Sequence, residues 1–422
     1  MLQSGITPCC GGEVSRRRSF LFLQGVCSPF FVRLANRLKA DGHRVFKVNF
    51  NTGDWVYWGG RSAWNYRGPI SGLGYFLEGK YRAFGITDQI LFGDCRPIHR
   101  LAVEHGKVCG IRTHVFEEGY FRPYWVTLER GGVNGYSSLP RDPQWYMDVG
   151  ARLPEYVRGR PFHSSINIRA VHDVAYHLAG FYNPVLFPHY RTHAPVNAAV
   201  EYLGYVRKLP RLLLQKQRDK TQVEELTRNS ALFFLLPLQL ASDAQIRDHS
   251  RFDDMAGVLV YVMESFARHA PPEAKLVIKN HPLDPGLVDY PGIILKLSNR
   301  FSLAGRVQYL ESGEVEDLLR HAHGTVTVNS TVGALSLDLN CPTIALSNPI
   351  YNLPGLTFQG DLDTFWRAGV RPEAELFRVF RNTVIHTTQV NGGFYSRQGI
   401  TLAVENCRRL LEPERSLLEE LL

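Results

Sequence analysis

Short apolar runs alternate with segments of helical spacing in two long stretches of the chain, and this pattern sets the expected architecture. In the first stretch, residues 19–23 read as a strand and residues 24–29 as a turn. Residues 30–40 read as a helix, with Phe31, Leu34, Ala35 and Leu38 on one face. Asp41-Gly42 ends that helix, and residues 43–50 form the next strand. Residues 51–69 carry Trp55, Tyr57, Trp58 and Trp64 among several glycines, too aromatic for a disordered linker and too glycine-rich for a helix, so a loop serving as a lid or an acceptor wall is expected. The alternation then continues through a helix at 75–84, a strand at 89–92, a helix at 96–105 and a strand at 112–116.

From 142 to 228 the pattern turns helical, with proline breaks and a helix at 196–209. A second alternating stretch follows, with strands at 231–240, 275–279, 307–310, 324–328 and 343–347 and helices at 252–269, 314–321 and 333–338. Helices near 362–368, 372–384 and 401–411 complete it. Strands alternating with helices imply an α/β chain with parallel, doubly wound sheets, and two such halves predict two Rossmann-like domains facing a cleft. The expected divisions are a mobile leader at 1–18, an N-terminal domain at 19–150 and a helical segment attached to it at 151–228. A C-terminal domain at 229–390 and a helical tail at 391–422 follow.

Composition narrows the class of partner. The 422 residues are 44% hydrophobic, enough for a large core, and no window approaches the roughly 20 apolar residues of a membrane span. Formal charge is +8, which points to anionic partners. No recognition module or arginine-rich block accompanies that charge, so nucleic acid is not expected. Seven scattered cysteines lack zinc or disulfide spacing, which fits a reducing compartment, and no metal site is expected, His321-Ala-His323 included. A basic run at 189–220, with Arg207, Lys208, Arg211, Lys216, Arg218 and Lys220, reads either as a solvated helix face or as a dock for an anionic membrane surface.

Four candidate sites fall at carboxyl ends of predicted strands: residues 24–28 with Gln24 and Gly25, 117–119, 279–282, and 329–333. At the second, an apolar run meets Glu117, Glu118 and Gly119. Neighbours on a continuing strand face opposite sides, so one acid is expected in the cleft and the other in a structural role, with Gly119 allowing close backbone approach. Asn329, Ser330, Thr331 and Gly333 form a strand-to-helix turn that suits a phosphate, or a simple N-cap. Lys279 and His281 add a cation and a donor nearby. Neither a P-loop nor a dinucleotide fingerprint is present.

In this order and spacing, the residues resemble the capsule polysaccharide biosynthesis and export proteins of the KpsS/LipB type, bacterial β-Kdo transferases. The resemblance spans about residues 19–390. It is carried by Phe20-Leu-Phe-Leu-Gln-Gly25, Glu117-Glu-Gly-Tyr-Phe-Arg-Pro123, Thr127-Leu-Glu129, Gly132-Val-Asn134, Leu236-Pro-Leu-Gln239, Ser242-Asp243, Lys279-Asn-His-Pro282 and Asn329-Ser-Thr-Val-Gly333. It implies a GT-B glycosyltransferase without cofactor or metal, taking CMP-Kdo as donor and lysophosphatidylglycerol as acceptor. Such an enzyme works on the cytoplasmic side as a peripheral protein of the anionic inner membrane surface, alongside other capsule assembly proteins. Related two-module transferases have Glu-Asp-Gly, with the second acid catalytic, where this chain has Glu117-Glu118-Gly119.

On that reading Glu118 is the nucleophile of a retaining reaction, or alternatively its base. Electrostatic stabilisation of departing CMP falls to His281, Lys279 and the Ser330-Thr331 turn. Gln239 and Asp243 are expected at the nucleotide or donor sugar, and Arg122 either at the Kdo carboxylate or bracing its own loop. Two other readings keep the same residues, a non-catalytic part of a capsule export complex and a nucleotide-sugar epimerase.

Overall fold

A computed structural model describes residues 17–192, 196–228, 231–240, 246 and 250–422. Among these, twelve strands form two sheets: β1 (Ser19–Phe22), β2 (Arg44–Asn49), β3 (Trp64–Asn65), β4 (Asp88–Phe92), β5 (Arg112–Glu118), β6 (Trp125–Arg130), β7 (Phe233–Pro237), β8 (Lys275–Lys279), β9 (Val307–Leu310), β10 (Gly324–Thr327), β11 (Thr343–Ala345) and β12 (Gln389–Asn391). The first sheet has the order β12-β6-β5-β4-β1-β2-β3 and the second β11-β10-β7-β8-β9. The parallel part of the first, β3-β2-β1-β4-β5, and the whole of the second, β9-β8-β7-β10-β11, share one Rossmann order. Each therefore has a switch point, between β1 and β4 and between β7 and β10, where such sheets bind ligands. Two such domains around a cleft make the GT-B arrangement.

The first sheet is mixed rather than purely parallel, because β6 runs antiparallel to both β5 and β12. Register pairs Glu117 with Thr127 and Glu118 with Val126, so the acidic pair still lies on the strand. Its core combines Phe20, Phe22, Phe30 and Phe116 with Ile400, Leu410 and Leu411 from the chain's end. The second sheet's core centres on Val258, Leu259, Val262 and Phe266 of the Met255–His269 helix against Leu276, Ile278 and Trp366.

Several expected boundaries shift. Arg18, assigned to the leader, is buried and ion-paired with Asp88, while residues 1–16 lie outside the described residues. Residues 52–58, expected as loop, form a helix capped by Asn51, whose Oδ1 accepts from the Asp54 N–H at 2.8 Å. Gly53 does not break this helix; a Cβ there would come within 2.5 Å of the Tyr176 ring, so glycine admits the neighbouring helix. Of the segment 151–228, the Ile166–Ala179 helix does pack on the first domain, through Tyr176 to Gln24 and Asn51. The Ala198–Arg228 helix belongs with the second sheet. Its Val223 and Leu226 enter the core with Phe233 and Leu235, and its Asp219 accepts from the Ser312 N–H and hydroxyl, both at 2.8 Å. The C-terminal domain ends before 390, since the Ala374–Thr388 helix already packs on the Pro143–Gly150 helix and leads into β12 of the first sheet.

Candidate active site

Glu117 and Glu118 leave the end of β5 on opposite sides. Glu118 is 27% exposed, and its Oε1 lies 3.3 Å from Nη1 of Arg169, whose guanidinium stands 5.0 Å from the Tyr395 ring centroid. Glu117 turns toward Gly93, and its Oε1 accepts the Glu118 N–H at 2.9 Å. Burial carries the Glu117 carboxyl up to about 7, with that hydrogen bond pulling the other way. The chain can turn directly after the acids because residue 119 is glycine: a Cβ there would lie 2.2 Å from the Trp125 carbonyl oxygen. Arg122 donates from Nε to the Gly119 carbonyl at 3.4 Å and so braces its own loop, with the rest of the residue exposed.

The facing domain contributes the ends of β7, β8 and β10. Gln239 and Asn329 bridge the switch point reciprocally, Gln239 donating to Asn329 Oδ1 at 3.0 Å and accepting from its N–H at 3.2 Å. Ser330 caps the Thr331–Asp338 helix, its Oγ accepting the Val332 N–H at 3.2 Å, so the capping role is realised at a helix terminus that opens on the cleft. Gly333 packs under Tyr351, whose hydroxyl donates to the Ser330 carbonyl at 2.6 Å. Lys279 is buried and donates to the Asn280 carbonyl at 2.9 Å, which makes it a brace of the following loop. Asp243 lies outside the described residues.

His281 is held firmly. Asn280 Oδ1 accepts its N–H at 2.8 Å, and Asn280 in turn donates to Asp284 and Glu311, both paired with Lys208. Its Nδ1 accepts the Leu283 N–H at 3.1 Å, which leaves the ring proton on Nε2. Burial, then the Arg122 and Lys279 cations, push the imidazole down to about 4, with Arg169 acting in the same direction. Arg169 therefore pairs with Glu118 and adds a minor downward push on the His281 imidazole.

A pocket of about 450 Å³, solvent included, opens between the domains and is walled by Tyr120, Phe121, Asn134, Asn329, Thr331 and Tyr351. Glu118 and His281 are not among its lining residues. Gln24 is buried and donates to the Tyr176 and Tyr190 hydroxyls at 2.8 and 3.1 Å, and Gly25 offers its carbonyl to Arg96 at 3.3 Å. Both follow the end of β1, the strand beside the first switch point. Cys27, beside them, has its thiol pushed up to about 12 by burial and nearby carboxylates, which suppresses nucleophilic chemistry there. Arg169 and Tyr395 were not singled out by sequence. The available signal was the run of polar residues 169, 172, 173, 176 and 177, which share one helical face.

The model for "Capsule polysaccharide biosynthesis protein" matches residues 87–395. The chain is 37% identical over 379 residues to the capsule polysaccharide export protein KpsS of Escherichia coli, covering 90% of this chain and 97% of that one. It is 34% identical over 389 residues to the capsule polysaccharide modification protein LipB of Neisseria meningitidis serogroup B, covering 90% and 92%. Among solved structures it is similar to the beta Kdo 2,7 transferase of Thermosulfurimonas dismutans KpsC, at 15% identity and a TM-score of 0.44 over 93% of this chain and 99% of that chain, too remote to carry residue roles across. By its sequence over most of its length, the chain belongs to the capsule polysaccharide biosynthesis protein family.

Proposed function

We propose that the protein is a retaining β-Kdo transferase that moves Kdo from CMP-Kdo to a lysophosphatidylglycerol acceptor and so begins the linker of a capsule chain. The observation that carries this reading is the Glu118 carboxylate at the end of β5, paired with Arg169 at 3.3 Å, in a chain of the capsule polysaccharide biosynthesis family. In the first step a Glu118 oxygen attacks the anomeric carbon while its bond to the phosphate oxygen of CMP breaks, the electron pair leaving with CMP. The acceptor hydroxyl then displaces the carboxylate, losing its proton, and two inversions restore the original configuration.

Arg169 holds the Glu118 carboxylate in place. His281, neutral above about pH 5, donates from Nε2 to the departing phosphate, and the helix terminus at Ser330 and Thr331 adds its dipole. Gln239 and Asn329 order that turn. The reading gives no step to a metal ion, so transfer should persist in EDTA.

Mass spectrometry of reactions containing CMP-Kdo and a lysophosphatidylglycerol analogue tests it. Glu118→Gln should abolish product with the fold unchanged by circular dichroism, and His281→Ala should lower turnover by roughly 10²-fold or more. Near-normal transfer by Glu118→Gln would overturn the nucleophile assignment.

A further inference from the structure

The Ile166–Ala179 helix inverts the usual polarity of a surface helix. Its polar side chains face the protein: Arg169 meets Glu118, the Tyr57 hydroxyl meets His172 Nδ1 at 2.9 Å, Tyr202 donates to Asp173 at 2.8 Å, and Tyr176 accepts from Gln24 and Asn51. Its apolar side chains face outward. Ile166, Val171, Val174 and Leu178 are exposed, and the stripe runs on through Phe181 and Val185, 79% and 80% exposed. No residue of this helix is buried. In a domain surrounded by water the apolar stripe would face the core.

A second helix does the same beside it. Ala198–Arg228 is joined to the first by the Tyr202–Asp173 hydrogen bond and by a His177–Tyr202 ring contact at 6.1 Å. It turns Tyr205 and Lys208 inward, to the Leu283 carbonyl at 2.8 Å and to Asp284, and exposes Val200, Leu203, Val206, Leu209, Leu213 and Leu214, the last at 82%. Exposed apolar side chains in this number on two joined helices mark an interaction site rather than ordinary exposure.

Charge selects the partner. Arg191, Arg207, Lys216, Arg218 and Lys220 are exposed around the stripe. Of the acids between 196 and 220, Asp219 is buried against Ser312 and Glu201 is half-buried. The rim is therefore cationic. No helix among the described residues is long and apolar enough to cross a membrane, so the geometry is one of lying on a surface.

We propose that these two helices form a single insertion face that seats the protein on an anionic phospholipid bilayer, with apolar side chains among the acyl chains and the cations among the headgroups. The inference rests on reading Glu118 as the site of transfer to a lipid. Arg169 projects from the opposite side of the same helix, so Glu118 lies about one helix diameter, roughly 10 Å, from the acyl region. A single-chain phospholipid keeps its tail in the bilayer while its headgroup rounds the helix to the cleft. Lys208, counted in the basic run, is spent inside the protein and takes no part.

Co-sedimentation of the full chain with vesicles of phosphatidylcholine alone, or mixed equally with phosphatidylglycerol, tests the proposal. Wild type should bind the mixed vesicles. Phe181→Glu with Val185→Glu, and separately Leu213→Glu with Leu214→Glu, should weaken binding at least tenfold without lowering Tm, because these residues are exposed. Replacing Lys216, Arg218 and Lys220 by Gln should remove the preference for phosphatidylglycerol. Unchanged vesicle binding by both double variants would overturn the proposal, as would a wild-type dimer in sedimentation equilibrium that both variants dissociate. Transfer to a water-soluble short-chain acceptor separates the two readings. Variants that lose vesicles but keep this transfer support the docking face, whereas vesicle binding without any wild-type transfer removes the Glu118 reading and leaves the face standing.

Discussion

At the scale of single residues, adjacent acids in one strand have been given unlike environments. Glu117 and Glu118 are separated by strand alternation alone, a rule that needs no structure. Which acid meets a cation does need it, because Arg169 is 51 residues away. A second buried acid, Glu129, is likewise raised to about 7 by burial, against hydrogen bonds from Ser137 and from the Tyr120 hydroxyl at 2.6 Å. Both carboxyls bind a proton in the native state at pH values where the unfolded chain, titrating near 4.5, has released it. Their contribution to stability is thus full below about 4.5 and is lost as pH rises toward 7. Glu129→Gln, which keeps an acceptor for Tyr120, should therefore raise stability at pH 7.5 by on the order of 2 kcal/mol and change it little at pH 4.5. Urea unfolding at the two pH values measures this, and an equal shift at both would mean that the side chain's shape matters rather than its charge. In activity, Glu117→Gln should preserve transfer and remove any pH limb near 7, whereas a loss matching that of Glu118→Gln would give both acids catalytic roles.

At the scale of elements, legibility followed the locality of the cause. Strands such as β1, β8 and β10 are buried apolar runs and announce themselves. β12 is three residues long and exists because it pairs with β6, more than 250 residues earlier, so no local pattern marks it. The Thr52–Trp58 helix was obscured by Gly53, whose usual helix penalty of about 1 kcal/mol argued for a loop. Tertiary packing reverses that sign. Gly53→Ala should destabilise the protein by about 1–3 kcal/mol, because Tyr176 is fixed by Gln24, Asn51 and Asp54 and cannot retreat. Adding Tyr176→Ala should make the alanine at 53 neutral or favourable, and the coupling is read from a double-mutant cycle in urea. A stabilising single Gly53→Ala would show that the neighbouring helix moves freely. Of the candidate site, the acidic pair, His281 and the Ser330 turn were legible as strand ends. Arg169 was not, since reading a helix's polar face as solvent-facing assigns it to water.

At the scale of the whole molecule, the chain's end decides whether the first domain exists at all. Sequence places residues 391–422 as an appended tail, because helices at a terminus carry no sign of what they cover. In the structure Phe394, Ile400, Val404, Leu410 and Leu411 lie in one core with Phe20, Phe22, Phe30 and Phe116, and Arg18 at the start of β1 donates to the Leu411 carbonyl at 2.5 Å. Burying five such side chains contributes about 1.5–3 kcal/mol each, a sum comparable to the roughly 5–15 kcal/mol net stability of a typical domain. Deleting 391–422 should therefore unfold the first domain rather than trim it, and with it the strand end that carries Glu118. The second sheet has its own core, to which the chain's end adds nothing. The truncated chain should accordingly show a residual cooperative transition from residues of the second domain, lost near-ultraviolet signal from the first, and exposed apolar surface that binds a hydrophobic dye. Differential scanning calorimetry and near-ultraviolet circular dichroism distinguish these states. A truncated chain that melts like the full protein would mean that the parallel strands and their own helices suffice, and that the returning segment only decorates them.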